Sequence, residues 1–297
     1  MIVESFSKHQ IAHLKPLILE DVITSIESNL YHLPKKNHGS YLLKAYKNAS
    51  GEYFGNKLLT INSLIENREK INIEELVFPE RLAIVDKKIA GFTMKYIENN
   101  INLSLLLNSK NVSVEVKIKL LKQIEQIIRK VQHVKGLQEP FLLADIHESN
   151  FILEKNSGKV FCVDIDGCKI SNNRIYSMKY GSFNEKFLDL PHKYPLYEDE
   201  EPIPNFNTEW YCFITMLLNM IGSGPVYKLL IEDFYDYIEY LNDAGFSKEL
   251  LSCFVNIYSN KDNYSPRDLL DSIPKNIDNV TLESFVEKKE TPKLYIR

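Results

Sequence analysis

The sequence contains no C-x-x-C pair, no apolar run long enough to span a bilayer and no marked excess of either charge. Cys162, Cys168, Cys212 and Cys253 stand singly among apolar neighbours. That spacing disfavours a zinc site or a disulfide frame and predicts reduced, buried thiols in a cytoplasmic setting. The longest apolar run, Cys212 to Gly222, falls well short of the roughly 20 residues that cross a bilayer, and no signal peptide is read at the start. No membrane partner is expected. A formal net charge of -4 and a pI near 6.0 give no electrostatic case for nucleic acid either. Internal repeats and low-complexity segments are also missing.

What is present is enough apolar material, 44% of 297 residues, for one large domain or two lobes of ordinary size. The first part reads as mixed: strand-like runs at 17–19, 40–46, 81–85 and 90–97, and a helix near 57–66. Beyond Glu98 the period changes. Ser113 can cap a helix whose Val116, Leu120, Ile124, Ile127, Ile128 and Val131 recur at helical spacing, with Gly136 to end it. Further helices are predicted at 208–221, 231–242, 248–258 and 266–272. The section from Asp164 to Asn207 reads as a long loop with Pro191, Pro195, Pro202, Pro204 and the acidic run Glu198 to Glu201. Long loops inside compact domains usually carry function, although a charge run is more often a solvated face.

Phe151 to Glu154 and Lys159 to Val163 are short apolar strands, and Lys155 to Gly158 has the residue types of a tight reversal. A turn centred near residues 156 and 157 sets Asn150 opposite residue 163, beside Asp164. Asp145 lies five positions before Asn150, so the intervening loop can return its carboxylate to the mouth of the hairpin. One carboxylate that orients or deprotonates an attacking hydroxyl, with an amide and a second carboxylate as hard oxygen ligands for magnesium, is a set suited to phosphoryl transfer. Solvated polar ends on a surface hairpin are the plainer alternative.

The apolar entry Phe141 to Leu143, Asp145, Asn150, the hairpin and Asp164 in that order resemble the catalytic loop and metal motif of the eukaryotic-type serine/threonine protein kinase superfamily, in a divergent, bacterial-type form. The resemblance covers about Leu17 to Ile273. It implies an α+β, bilobal protein kinase-like fold: a small N-lobe (1–98) with an antiparallel sheet plus helix, and a larger, mainly helical C-lobe (99–297) with a catalytic β-hairpin. Ser40 to Tyr46 is similar to the third kinase strand, which makes Lys44 the group for the nucleotide's α and β phosphates, with Lys47 as the alternative. Gly91 to Glu98 is similar to the fifth strand and hinge: Met94 would guard the adenine pocket, and backbone groups near Lys95 and Ile97 would bond the adenine edge. Thr208 to Phe213 resembles the helix that anchors a kinase C-lobe, with Glu209 where Asp is usual. Asn263 to Leu270 resembles the closing helix without the usual Arg before Pro266. ATP and Mg2+ are the implied cofactors, Asp145 and Asn150 the catalytic pair, Asn150 and Asp164 the metal ligands.

The pattern also departs from that family. Val22 to Tyr31, where a glycine-rich phosphate loop belongs, has Ile23, Ser25 and Ser28 near the glycine positions. Asn56 to Ile65 offers no glutamate to hold Lys44; Glu52 and Glu66 sit at awkward positions and Glu69 lies beyond. Leu143 and Ala144 replace the usual His-Arg. His147 gives the Asp-x-His pattern of aminoglycoside and choline phosphotransferases. Asp166, in Asp164 to Gly167, reads as an aid to metal binding or as a loop cap. Three functions therefore stand: an ATP- and magnesium-dependent protein kinase, a small-molecule phosphotransferase, and a pseudokinase acting as an interaction module. The partners that the resemblance implies are a nucleotide and a protein or small-molecule hydroxyl acceptor.

Overall fold

A computed structural model describes residues 2–17, 27–34, 39–170, 204–226, 229, 231–258, 267–275, 277 and 280–290. The protein is α+β, with a mixed six-stranded sheet and eight α-helices among the described residues. It divides into two compact units: Met1–Leu103 with Ile127–Asp145 and Ser149–Ser177, and Ser104–Gln126 with Ile146–Glu148 and Met178–Arg297. Packing thus divides the chain differently from a single cut at 98/99, and it groups the hairpin with the larger sheet.

In the first unit, β1 (Val3–Phe6), β2 (Lys15–Pro16), β3 (Ser28–His32), β4 (Tyr41–Tyr46), β5 (Pro79–Val85) and β6 (Lys88–Lys95) form the sheet in the order β1-β5-β6-β4-β3-β2. Five strands pair antiparallel, but β1 runs parallel to β5, with Val3 opposite Leu82. This corrects the expectation of an antiparallel sheet. The reason is the open edge of β5: backbone groups there need partners, and the opening segment supplies them, Leu82 N–H donating to the Ile2 carbonyl at 3.0 Å and Asp86 N–H to Phe6 at 3.2 Å. Helix α1 (Lys8–Ala12) follows β1, opened by a reciprocal Ser7 and Gln10 capping box.

Helix α2 (Gly51–Ile71) extends the helix expected near 57–66 to 21 residues. It ends where Asn72 adopts a left-handed backbone at φ 43° and donates its N–H to the Arg68 carbonyl. Its Phe54, Ile61 and Leu64 are buried, and Phe54 and Ile61 share one apolar cluster with Leu42, Leu82, Phe92 and Met94 of the sheet. A second sheet is built from β7 (Asn100–Asn102), β8 (Phe151–Glu154) and β9 (Lys159–Cys162).

The second unit is helical. It holds α3 (Leu103–Leu107) from Ser104 on, most of α4 (Val114–Gln132), α5 (Phe206–Gly222), α6 (Ile231–Asp243), α7 (Lys248–Tyr258), a 3-10 turn at Arg267–Ser272 and α8 (Leu282–Glu290). Asn205 caps α5 by accepting from Asn207 and Thr208 N–H. From Thr208 to Leu218 that helix is buried on every side, which explains why its apolar run shows no amphipathic stripe. No helix among the described residues is long and apolar enough to cross a membrane.

Candidate active site

The hairpin has the register that its turn predicts: Phe151 pairs with Cys162, and Val163 N–H donates to the Asn150 carbonyl at 2.8 Å. Glu154 sets the turn by accepting from Asn156 and Ser157 N–H at 2.9 and 2.8 Å, with Gly158 at φ 71° closing it. Leu142 and Lys169 exchange backbone hydrogen bonds at 3.0 and 2.9 Å, stitching the approach to Asp145 onto the exit from Asp166. Two non-glycine residues with left-handed backbones flank the cluster: Ala144 at φ 63°, spanned by a 2.7 Å bond from Asp145 N–H to the Leu143 carbonyl, and Asp164 at φ 59°. Such conformations cost about 1–3 kcal/mol each and concentrate where a site demands them.

Asn150 is buried, and its amide nitrogen donates to the Asp145 carbonyl at 2.9 Å and to Asp145 Oδ2 at 3.4 Å. The amide is thereby turned so that Oδ1 receives no hydrogen bond from a described residue. Asp164 is half-exposed, with one oxygen paired to Lys44. Among the described residues no group of three or more His, Cys, Asp or Glu side chains is arranged to hold a metal. An amide oxygen and one carboxylate nevertheless fit Mg2+, which takes few protein ligands and completes its shell with water and phosphate oxygens.

Lys44 is 5% exposed on β4. Its ammonium pairs with Asp164 and, at 2.8 Å, with Asp166 Oδ1. Asp166 is 1% exposed, and its other oxygen accepts from the Tyr46 hydroxyl and lies 3.6 Å from the Lys57 ammonium of α2. Lys57 also meets Glu27 Oε2 at 3.1 Å, and the Tyr46 ring lies within 6 Å of both ammoniums. Burial works against the charge on Lys44, but Asp164 and Asp166 outweigh it and raise its pKa above the ordinary lysine value. Burial alone would raise the Asp166 carboxyl, yet Lys44, a hydrogen bond shared with Asp164, and Lys57 hold it well below the usual range. Lost hydration pushes Asp164 up to about 6, opposed by Lys44 and reinforced by the Asp166 charge. With 47% of that side chain still meeting solvent, the like charge of Asp166 is the firmer of the two causes.

Tyr96 N–H donates to the Ser40 carbonyl at 2.8 Å. Because an antiparallel strand turns alternate residues toward its partner, the backbone groups of Lys95, the last residue of β6, face away from β4. The Ile97 carbonyl accepts from the Asn100 amide at 2.5 Å. Met94 and Ile97 are buried in one cluster with Leu42 and Phe161, against which Leu30, Ile152 and Val163 pack.

Lys44, Met94, Lys95, Ile97, Asp145, Asn150 and Asp164 all fall within the first unit; His147 and the fully buried Glu209 fall in the second. Ile23, Ser25, Glu198 to Glu201 and Asn263 to Pro266 lie outside the described residues. Sequence reasoning missed Tyr46, Lys57 and Glu27. A signal existed for two of them: Tyr46 shares the strand face of Lys44, and Lys57 interrupts the stripe Phe54, Ile61, Leu64 on a buried helix face. No protein-family model matches the chain, and no curated protein matches it significantly.

Proposed function

We propose that this chain is an ATP- and Mg2+-dependent phosphotransferase of the protein kinase-like class, moving the γ-phosphoryl group to a hydroxyl, with Ser or Thr of a protein as the acceptor. The observation that carries the reading is the meeting of Lys44 with Asp164 at the end of the hairpin that also presents Asn150 and Asp145. Lys44 reaches this hairpin stretch from 120 positions away in the sequence, and random polar decoration has no reason to bring a buried lysine to the acid at its end.

In this reading Asn150 Oδ1 and Asp164 would hold Mg2+, and the ion would supply charge neutralisation for the phosphate oxygens. Lys44 grips the α and β phosphates. Asp145 orients the acceptor hydroxyl and takes its proton. The backbone of Lys95 and Ile97 meets the adenine edge, and Leu30, Leu42, Met94, Ile152 and Val163 supply the apolar walls a flat base needs.

Labelled ATP offered with protein, aminoglycoside and choline acceptors side by side tests the proposal. Transfer to protein that falls about 100- to 10,000-fold in Asp145→Asn supports it. Transfer only to a small molecule moves the acceptor to that class. Nucleotide-dependent stabilisation without transfer to any acceptor leaves a binding module, and neither binding nor transfer ends the reading.

A further inference from the structure

We propose that Asp166 is the positioning residue of Lys44, filling the place expected of a helix carboxylate, while helix α2 contributes the cation Lys57 that fixes Asp166 in turn. The inference rests on the functional reading above for what Lys44 does, and on geometry for what Asp166 does.

Both Asp166 oxygens are committed: Oδ1 to Lys44 at 2.8 Å, Oδ2 to the Tyr46 hydroxyl with Lys57 at 3.6 Å. That leaves it poorly placed to ligate a metal. It is no loop cap either, since it lies inside the 3-10 turn Ile165–Gly167, whose N-cap, Asp164, makes no side-chain capping bond. Asp164 also holds Lys44, but it is half-exposed, whereas Asp166 is 1% exposed. An anchor for Lys44 that persists when Asp164 turns to a metal has to be Asp166.

Charge supports the same assignment. Lys44, Lys57 and Asp166 are all buried, and a buried charge is tolerated only when paired and hydrogen-bonded. A glutamate on α2 would have added a second buried carboxylate beside Asp166. The helix carries a lysine there instead, so the polarity of the expected strand-to-helix pair is inverted and the acid arrives from the turn after β9. Lys57 reaches on to Glu27 Oε2 at 3.1 Å, whose Oε1 accepts from the Tyr53 hydroxyl at 2.8 Å. The cradle therefore runs from α2 through Asp166 to Lys44.

The test uses the full chain in two measurements. Melting temperatures of Asp166→Asn, Lys57→Met and the double variant read the cradle itself: each single change should lower the melting point, and the double, which removes one charge of each sign, should recover most of the loss. Strictly additive losses overturn the cradle. Phosphotransfer kinetics then read the role toward Lys44. Asp166→Asn should lower kcat at least 30-fold, leave the half-saturating Mg2+ concentration within twofold, and be partly rescued by Asp166→Glu; the double variant carries this measurement if the single one does not fold. A tenfold rise in the Mg2+ requirement makes Asp166 a metal ligand and overturns the proposal. An unchanged kcat overturns it and leaves the functional reading standing. A wild-type chain that neither transfers phosphate nor gains stability from MgATP overturns the functional reading and, with it, this role.

Discussion

Gly91 lies so close to Lys44 across the sheet that a Cβ built on it would stand 1.9 Å from the Lys44 carbonyl oxygen and 2.9 Å from its carbonyl carbon. Backbone, unlike a flexible side chain, cannot step aside. Gly91→Ala is therefore expected to push β4 away from β6 at the residue that pairs with both acids. Overpacking of this kind costs about 1–3 kcal/mol, and a shift of the ammonium near an ångström can cost about 100-fold in rate. Thermal unfolding and phosphotransfer together check it: loss of both is expected, and an unchanged melting point would mean that β4 yields without strain.

In the proposed function Asn150 joins two tasks, holding the Asp145 turn and ligating Mg2+, that separate variants can divide. Asn150→Ala removes the 2.9 Å bond that Nδ2 donates to the Asp145 carbonyl and, with it, the Oδ1 oxygen proposed as a metal ligand. The expected outcome is a loss of about 1–3 kcal/mol in stability and at least a tenfold higher Mg2+ concentration for nucleotide-dependent stabilisation. Asn150→Asp keeps oxygen donors but sets a second carboxylate where Nδ2 now lies 3.4 Å from Asp145 Oδ2, so it should unsettle the Asp145 turn while retaining metal dependence. Magnesium titrations of thermal shift distinguish the two.

The hairpin and its register were legible because turn chemistry and strand period are local: Lys155 to Gly158 fixes the reversal, and everything from Asn150 to Asp164 follows. Helix α7 was legible from Lys248 to Tyr258 for the same reason. Strand β1 was not, because Val3–Phe6 alternates half-buried and exposed positions and its partner, the free edge of β5, is a tertiary fact. Lys57 was visible as a lysine in an apolar stripe, yet its meaning depends on Asp166, which only the fold brings to it. Asp166 itself could be read as metal aid or cap because sequence shows what a carboxylate offers and not which cations claim it.

Cys253 is fully buried on α7, and burial pushes its thiol up to about 12. An unfolded cysteine titrates near 8.5. Between those values the folded chain keeps the proton and the unfolded chain loses it, so the contribution is complete below about pH 8.5 and is lost as pH rises toward 12. Urea unfolding at pH 7.5 and pH 10, in wild type and Cys253→Ala, checks the sign: wild type should lose more stability than the variant over that interval, although the variant starts lower because of its cavity. Parallel pH dependence in the two would remove Cys253 from the account.

In the second unit the buried Tyr237 hydroxyl donates to the Val280 carbonyl at 3.0 Å, and its ring meets Phe285 edge-on with centroids 5.4 Å apart. The bond ties α6 to the segment entering α8. Tyr237→Phe keeps the ring contact and removes only the donor, leaving the Val280 carbonyl short of a partner in a site too tight to readmit water easily: a Cβ on Gly222 would already stand 3.1 Å from that hydroxyl. The cost of an unsatisfied buried acceptor is about 1–3 kcal/mol. A lower urea midpoint with an unchanged m-value is the expected result, since the loss concerns stability and not compactness. A midpoint equal to wild type would show that the Val280 carbonyl finds another donor and that the ring alone holds α6 to α8.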